Sequence, residues 1–310
     1  MPTLARISEP PTEPPAHGPP ASPYVVPFDG TFSVADAPTT PPPDAGNEDA
    51  LDAELRARVG EIADLQERLY AQDRYSLLLV FQAIDAAGKD STIRAVTTGV
   101  NPAGFQVSSF KAPSKEELDH DFLWRTTERL PERGRIGVFN RSYYEEVLVV
   151  RVHPAFLDGQ RLPNRPPPEA LWRERYASIR DHEAHLARNG TVILKFWLNI
   201  SKDEQARRFI RRIDRPSKNW KFSAGDLVER GFWDAYVEAY EEALAATSRP
   251  YAPWYAIPAD DKPFMRLEVA RIVRDQLAAL DPAFPVLGDE ELATLGEYRA
   301  ALAAELDPKP

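Results

Sequence analysis

Five short strand-like runs, most of them apolar throughout, constrain the fold of this chain more than any other feature of its sequence. They cover residues 76–82, 106–110, 136–140, 191–198 and 254–257. A strand that is buried on both faces has this appearance. Helical patterns separate the runs, and strands that alternate with helices favour a parallel sheet. The order of elements therefore predicts an α/β fold in which helices cover both faces of a five-stranded parallel sheet.

The helices are predicted from apolar spacing and from residue pairs that favour helix ends. Over 51–70, apolar residues recur with gaps of three and four, which is typical of one helix face. Ser114 with Glu117, and Ser201 with Glu204, have the spacing of a capping box at a helix start. Further helices are expected after the first strand to about 99, over 114–130, over 144–150, up to about 189, from 201 onward, over 225–246 and over 263–280.

The distribution of proline suggests how the chain is divided. Of its 30 prolines, 13 lie in the first 50 residues, which predicts a disordered, proline-rich tail over 1–22. An apolar stretch follows, so residues 23–49 are expected to form an extended segment that packs on the domain. The domain is predicted over 50–285, followed by a C-terminal helix and tail over 286–310.

Composition excludes several classes of protein. The chain has no cysteine, so disulfide scaffolds, thiolate zinc sites, iron–sulfur clusters and thiol catalysis are excluded. Its 38 Lys and Arg against 48 Asp and Glu give a net charge of −10, which argues against nucleic acid as a partner. No apolar run approaches the roughly 20 residues that span a bilayer, and the N-terminus does not resemble a signal peptide. We therefore expect a cytoplasmic protein without a membrane partner.

A candidate phosphate-binding loop, AIDAAGKDS over 83–91, follows the first strand. It departs from the Walker pattern twice, because Ala83 replaces the first glycine and Asp90 replaces the hydroxyl residue. The order of buried strand, small-residue loop, lysine and helix is nevertheless typical of an anion site. The predicted phosphate contacts are Ala86, Ala87, Gly88, Lys89, Asp90 and Ser91. The alternative is a plain strand–helix turn with a surface lysine.

Carboxylate and amide side chains near two strand ends are candidate metal ligands. Asp85 lies inside the anion loop, where it would repel phosphate unless a divalent cation intervened, so it is a candidate Mg²⁺ ligand; the alternative is a turn-forming aspartate. Asn140 ends the third strand, where a metal-holding acid is usual, and Arg141 follows with a planar fork suited to phosphate. Glu145 could bind a metal or hold Arg141, or it is a surface residue that favours the helix dipole.

A basic stretch over 207–221 contains seven basic residues and one acid. Arg208 and Arg212 are four residues apart and so share one helix face. The stretch continues into a loop that carries Trp220 between two lysines. This pattern resembles the lid of a phosphoryl-transfer enzyme, predicted over about 205–225, although a solvated helix face is the common alternative.

The chain resembles the polyphosphate kinase 2 family. The matching segments are LLLVFQAIDAAGKDSTIR (77–94), FKAPSKEELDHDFLWR (110–125), FNRSYYEEVLVVRVH (139–153), SKNWKFSAGDL (217–227) and PWYAIPADDK (253–262). Asn140 and Glu145 are most similar to the class III subgroup, whose members are thought to phosphorylate both AMP and ADP. Ala83 departs from the glycine that the family pattern has at that point.

The resemblance implies a three-layer α/β/α P-loop kinase fold similar to that of thymidylate kinase, with a helical lid and usually a dimeric or tetrameric assembly. The implied reaction is the reversible transfer of a terminal phosphoryl group from inorganic polyphosphate to AMP or ADP, with ATP among the products. Mg²⁺ is the implied cofactor, with Mn²⁺ as a possible substitute.

The resemblance also implies roles for individual residues. Asp85 would hold Mg²⁺ with Asn140 and Glu145 nearby, and Lys89 would bind the phosphoryl group in transfer. The implied phosphate clamps at the nucleotide are Arg141, Arg208 and Arg212, beside Glu145. Further phosphate contacts are implied for Lys111, Lys218 and Lys221.

Two other functions compete with this interpretation. An ATP-dependent nucleoside monophosphate kinase would share the fold, Mg²⁺ and the lid, but should have a more standard Walker loop. A non-catalytic P-loop module that binds nucleotide or polyphosphate is favoured weakly by Asn140 and disfavoured by Asp85, Lys89 and the arginines. These functions can be distinguished by testing which donor, polyphosphate or ATP, supports phosphorylation of the nucleotide.

Overall fold

The computed structural model describes residues 17–306, apart from the side chain of Lys221. Its strands are β1 (Ser76–Gln82), β2 (Phe105–Ser109), β3 (Ile136–Asn140), β4 (Thr191–Asn199) and β5 (Trp254–Pro258). They form one parallel sheet in the order β2-β3-β1-β4-β5. The predicted five-stranded parallel α/β sheet is therefore confirmed, and each strand ends within one residue of its expected bounds.

Helices connect the strands in chain order. They are α1 (Glu48–Gln72), α2 (Lys89–Val96), α3 (Lys115–Leu118), α4 (Trp124–Thr127), α5 (Val149–Val152), α6 (Phe156–Gly159), α7 (Pro168–Arg188), α8 (Lys202–Ile213), α9 (Ala224–Arg230), α10 (Trp233–Thr247), α11 (Lys262–Ala279) and α12 (Asp289–Leu306). Short 3₁₀ turns lie at Val34–Asp36, Pro102–Gly104, Tyr143–Glu146 and Pro216–Lys221.

The sheet has an apolar core on each face, which explains why most of its strands are apolar throughout; the edge strand β2, with the sequence FQVSS, is the exception. Along β1, Leu77 and Leu79 belong to the core that α1, α2 and α11 cover. Leu78 and Val80 belong to the core that α7 and α10 cover. Successive side chains of a strand point to opposite faces, so a strand with two covered faces must be apolar at every position.

The predicted helix over 114–130 is wrong, because two short helices, α3 and α4, take its place. The capping box at its start is confirmed: Glu117 N donates to Ser114 Oγ at 3.2 Å, and Ser114 N donates to Glu117 Oε2 at 2.6 Å. Asp121 then accepts a bond from Leu123 N at 2.9 Å. Such a local side-chain bond offers the backbone an alternative to the helix ladder, and apolar spacing does not reveal it.

Two other helix predictions need correction. The helix expected over 225–246 is divided into α9 and α10 at Gly231, a residue type with low helix propensity. The second capping box is only half formed, because Ser201 Oγ accepts from Glu204 N while Ser201 N donates to Asp260 at 2.7 Å. Glu204 binds Arg208 instead.

The N-terminal segment lies along the outer edge of β5. Val26 N donates to Trp254 O at 2.9 Å, and Ala256 N donates to Tyr24 O at 2.8 Å. Pro20, inside the predicted disordered tail, is buried and accepts a bond from the Tyr255 hydroxyl at 3.0 Å. Residues 1–16, the rest of that tail, lie outside the described residues, as do residues 307–310.

The C-terminal part of the described chain contains α12, which has no buried residue. Within residues 17–306, none of the helices combines the length and apolar character that crossing a bilayer requires.

Candidate active site

The loop between β1 and α2 has a tightly turned backbone. Ala86 and Gly88 have positive φ values of 67° and 112°. Gly88 is favoured there because a Cβ atom would strain the backbone and lie 3.2 Å from Met265 Cε. The Lys89 Nζ folds back over the loop and donates to Ala83 O at 2.8 Å. The structure thus brings the predicted loop and its lysine together at the start of α2.

Arg141 connects the phosphate loop with the turn after β3. Its Nη2 lies 3.1 Å from Asp85 Oδ1, and its Nη1 lies 3.4 Å from Glu145 Oε2. Burial disfavours the charge of Arg141, but Glu145 and Asp85 outweigh this effect and raise the pKa of the guanidinium. Burial raises the pKa of Glu145, although Arg141 and Lys89 oppose the shift. Two carboxylates and two cations therefore meet at the ends of β1 and β3.

The predicted metal set is only partly brought together. Asp85 and Glu145 share Arg141, but the Asn140 amide donates to Asp90 Oδ1 at 2.8 Å. Within residues 17–306, no three His, Cys, Asp or Glu side chains form a metal cluster. Mg²⁺ nevertheless needs only one or two carboxylates when substrate phosphates and water supply its other ligands. The donor set Asp85 and Glu145 fits that requirement.

Arg208 of the lid helix α8 has contacts that differ from the predicted phosphate clamp. Its Nη1 donates to Ala86 O at 3.2 Å and to Ala87 O at 2.5 Å. Its Nη2 donates to Ala259 O at 2.5 Å, and its Nε donates to Glu204 at 3.0 Å. The residue is 4% exposed. These contacts indicate that Arg208 fastens the phosphate loop to α8 and to the end of β5.

A basic cavity of about 600 Å³ opens above the phosphate loop. Its basic lining residues are Lys89, Lys111, Arg141, Arg208, Arg211, Arg212, Arg215, Lys218 and Lys262. Burial, together with Arg208 and Arg211, lowers the pKa of Lys262 to about 8. A cation whose pKa is lowered by other cations indicates a site suited to a polyanion.

A second cavity of about 610 Å³ adjoins the first and is largely apolar. Its lining includes Ile84, Val149, His153, Phe156, Tyr236 and Tyr240. The two cavities share Asp85, Lys111, Ala112 and Arg141. A volume of 300–1,000 Å³ with apolar walls and a few polar groups is typical of a small-molecule site. The site therefore joins an anion cavity and an apolar cavity across Asp85 and Arg141.

Comparison with protein families gives a match over residues 46–285 to the model described as polyphosphate kinase 2. The chain belongs to the polyphosphate kinase 2 family. A curated relative in this family, the ADP-polyphosphate phosphotransferase of Rhodopseudomonas palustris, is 57% identical over 74% of this chain and 80% of its own length. The AMP/ADP-polyphosphate phosphotransferase of Meiothermus ruber is 44% identical over 84% of this chain and 94% of its own length.

A solved structure supports the P-loop kinase fold of this family member. Polyphosphate kinase 2 from Arthrobacter aurescens superposes with a TM-score of 0.77 at 40% sequence identity, covering 86% of this chain and 93% of that one. The predicted three-layer α/β/α architecture is therefore confirmed.

The structure of this polyphosphate kinase 2 family member gathers most of the predicted site residues. Asp85 and Arg141 lie at the junction of the cavities. Lys89 lines the basic cavity beside them, as do Arg212 and Lys218. Ala86, Gly88, Asp90, Ser91, Asn140 and Lys111 also line the basic cavity. Ala87 belongs to the loop but is buried. The side chain of Lys221 lies outside the described part of the chain.

Sequence reasoning missed Lys262 and the walls of the apolar cavity. Lys262 begins α11 directly after β5, so the rule that ligands bind at the carboxyl ends of parallel strands could have found it. Tyr236 and Tyr240 lie on one face of α10 four residues apart, a spacing that equally predicts a core contact. Their place in a cavity wall depends on how the lid packs, and the sequence pattern carries no signal for it.

Proposed function

We propose that this kinase transfers the terminal phosphoryl group of inorganic polyphosphate to AMP or ADP in a Mg²⁺-dependent, reversible reaction. The observation that carries the proposal is the contact between a basic and an apolar cavity at Asp85 and Arg141. Polyphosphate has no apolar part and carries roughly one negative charge per phosphate, so it suits the basic cavity. A nucleoside suits the apolar cavity, with its phosphate directed at the junction. The names of the relatives from Rhodopseudomonas and Meiothermus contain the same two classes of substrate, polyphosphate and an adenine nucleotide.

The residues at the junction supply what phosphoryl transfer needs. Donor and acceptor must be held in line, and the charge on the transferred group must be neutralised. Lys89 and Arg141 provide two fixed cations there. Asp85 and Glu145 would hold Mg²⁺, which when bound supplies charge neutralisation between phosphate oxygens. No covalent intermediate is required, because both substrates reach the junction from opposite cavities.

The lid residues complete the donor site. Arg212 lies 3.8 Å from Asp226 and stacks over Phe209, so its guanidinium is placed at the edge of the basic cavity. Arginine suits this position because its planar fork matches two phosphate oxygens. Lys218 and Arg215 also line the basic cavity. A donor with several phosphates would gain contacts with these additional cations.

The assembly and surroundings of the enzyme are part of the same proposal. From the family resemblance we infer a homodimer or homotetramer. From composition and net charge we infer a cytoplasmic protein that binds neither nucleic acid nor membrane. Light scattering of the purified protein would measure the assembly.

The donor decides between the proposed function and its competitors. Purified protein would be incubated with Mg²⁺, AMP or ADP, and either polyphosphate or ATP, and the nucleotides formed would be followed. We expect product from polyphosphate. Phosphorylation of AMP with ATP as the sole productive donor would indicate a nucleoside monophosphate kinase, and no product with either donor would indicate a binding module.

The phosphate loop provides a matched variant for the same assay. Lys89→Ala is expected to lower turnover about 10²–10³-fold, because a developing charge loses a fixed cation. Lys115→Ala removes an exposed lysine of α3 and should leave turnover unchanged. If folded Lys89→Ala has near-wild-type turnover, the phosphate loop has no role in phosphoryl transfer.

A further inference from the structure

A buried ion pair lies next to the turn Tyr143–Glu146 and has no part in the chemistry described above. Lys195 of β4 and Glu183 of α7 are both fully buried, with Nζ and Oε2 2.7 Å apart. Lys195 Nζ also donates to the Tyr144 hydroxyl at 2.8 Å and to Thr247 O at 2.9 Å. An ammonium group has three N–H donors, so each of them has an acceptor.

The carboxylate of Glu183 also has several hydrogen-bond partners. Its Oε1 accepts hydrogen bonds from the Tyr143 hydroxyl at 2.9 Å and from the Tyr144 hydroxyl at 2.8 Å. Both tyrosines are fully buried. The Tyr144 hydroxyl therefore accepts from Lys195 and donates to Glu183. These four side chains, which we call the tyrosine network, form a closed polar group inside an apolar core.

A network of this kind is weak evidence for stability. Burying two charges removes them from water, and apolar residues of similar volume often stabilise a core as well or better. A satisfied buried network does, however, fix the positions of the groups that it connects. Its use therefore lies in what it holds in place. The groups that it connects include two consecutive residues of the turn Tyr143–Glu146.

That turn lies between the functional side chains of the junction. Arg141 precedes the two tyrosines, and Glu145 follows them. Arg141 has a φ of 63°, a left-handed backbone that is uncommon for a residue with a side chain and that the surrounding structure must maintain. On one side, Arg141 N donates to Phe81 O at 3.0 Å. On the other side, the turn is anchored by the tyrosine network.

We propose that Glu183 and Lys195 are positioning residues for phosphoryl transfer, which hold the turn through Tyr143 and Tyr144 and so aim Arg141 and Glu145 at the junction of the two cavities. This inference rests on the proposed function. A displacement of about 1 Å at a reacting centre can cost about 10²-fold in rate. The donor-binding lysines Lys89 and Lys262 lie on α2 and α11, and they should still bind polyphosphate when the turn is loosened.

The mildest test removes one hydroxyl group. Tyr144→Phe deletes the oxygen that connects the turn with both charged residues. Tyr255→Phe is the matched control, since it deletes a buried tyrosine hydroxyl bonded to Pro20 O at 3.0 Å, far from the turn in the chain. For Tyr144→Phe we expect kcat to fall about tenfold or more, with the KM for polyphosphate changed less than about threefold. Tyr255→Phe should change kcat less than about twofold.

A second variant removes both charges at once. Lys195→Met with Glu183→Gln leaves no unpaired buried charge, but it removes the Lys195 donor to Tyr144 and replaces the charge-assisted bonds of both tyrosines with weaker neutral ones. We expect this double variant to fold, as shown by its near-ultraviolet circular dichroism and a melting temperature close to that of Tyr255→Phe. We expect its kcat to fall about tenfold or more with the KM for polyphosphate little changed.

Each outcome decides the proposal. Tyr144→Phe with a kcat within twofold of wild type, or with a loss equal to that of Tyr255→Phe, would overturn it, and so would a loss that falls only on the KM for polyphosphate. These results presuppose wild-type transfer from polyphosphate. If the wild-type protein transfers no phosphoryl group from polyphosphate, the proposed function fails and the positioning role fails with it. If the wild-type protein is active but the variants keep its kcat, only the positioning role fails.

Discussion

At the scale of the residue, Glu145 occupies a distinctive position. Its side chain is 15% exposed, lines the apolar cavity and lies 3.4 Å from Arg141. A carboxylate in that place would repel a bare phosphate, so we propose that it acts through Mg²⁺ or through Arg141. AMP brings fewer phosphates of its own than ADP and depends more on such groups to be anchored.

Glu145→Asn is therefore expected to impair phosphorylation of AMP more than phosphorylation of ADP. The two values of kcat/KM with polyphosphate as donor would be compared, and ADP serves as the internal control. A difference of about tenfold corresponds to one lost positioning contact. An equal loss on both acceptors, or no loss, would exclude a role of Glu145 in acceptor selection.

Lys262 gives a prediction for pH dependence. Burial and neighbouring cations lower its pKa to about 8 in the free enzyme, and a bound polyanion favours the charged form and raises the pKa again. Above pH 8 the free enzyme loses this charge, so polyphosphate binding must take up a proton. The KM for polyphosphate should then rise by up to about tenfold per pH unit above 8. It should not change through this group below pH 7.

The matched variant for this prediction is Lys262→Arg, which stays charged over the whole range. The alkaline rise in the KM for polyphosphate should become flatter in this variant, while the KM for nucleotide follows the wild-type profile. An unchanged alkaline rise in Lys262→Arg would assign the effect to another group.

At the scale of the element, the arginines of α8, which lies in the predicted lid, have different partners. Arg208 is bound to backbone carbonyl groups of the phosphate loop and of the segment after β5. Arg212 lines the basic cavity, whereas Arg207 is 64% exposed and lies 3.5 Å from Glu204. Their spacing in the sequence predicts the same phosphate-binding role for Arg208 and Arg212, because the two residues share a face of the helix.

The structure predicts that the three arginines behave differently when changed to alanine. Arg208→Ala should lower both the melting temperature and turnover, because each buried carbonyl left without a donor costs about 1–3 kcal/mol. Arg212→Ala should lower turnover about tenfold or more with an unchanged melting temperature. Arg207→Ala should change neither. Thermal unfolding and initial rates would measure these effects, and equal losses of turnover in all three would indicate a diffuse basic patch.

The strands and the phosphate loop could be predicted because their signals are local. Most of the strands are short apolar runs, and the loop is defined by Gly88, Lys89 and the helix that follows. The role of Arg208 could not be predicted, since its partners Ala86 and Ala259 are distant in sequence. Asn140 was expected beside Asp85, but it faces Asp90 across the start of α2, a contact set by the register of β1 and β3.

At the scale of the whole molecule, the N-terminal segment is part of the fold and covers the edge of the sheet. It adds an antiparallel bridge between Val25 and Tyr255, next to Val26, whose side chain is 1% exposed. An uncovered edge strand offers unpaired backbone groups to other chains. The segment satisfies those groups and adds apolar contacts beside β5.

Val26→Ala is therefore expected to lower the free energy of unfolding by about 1–2 kcal/mol, from lost burial and the cavity left behind. Val286→Ala is the matched control, because the same two methyl groups are removed at a residue that is 96% exposed. Its effect should stay within about 0.5 kcal/mol. Urea unfolding of both variants would measure the difference, and equal effects would mean that the segment contributes little to stability.

The central claim is direct transfer between two cavities that are filled at the same time and meet at Asp85 and Arg141. The most direct test measures initial rates of ADP formation while the concentrations of AMP and polyphosphate are both varied. Simultaneous occupancy predicts double-reciprocal plots whose lines intersect, since the acceptor attacks the donor while both are bound. Parallel lines, the kinetic pattern of a covalent phosphoryl-enzyme intermediate, would contradict the claim.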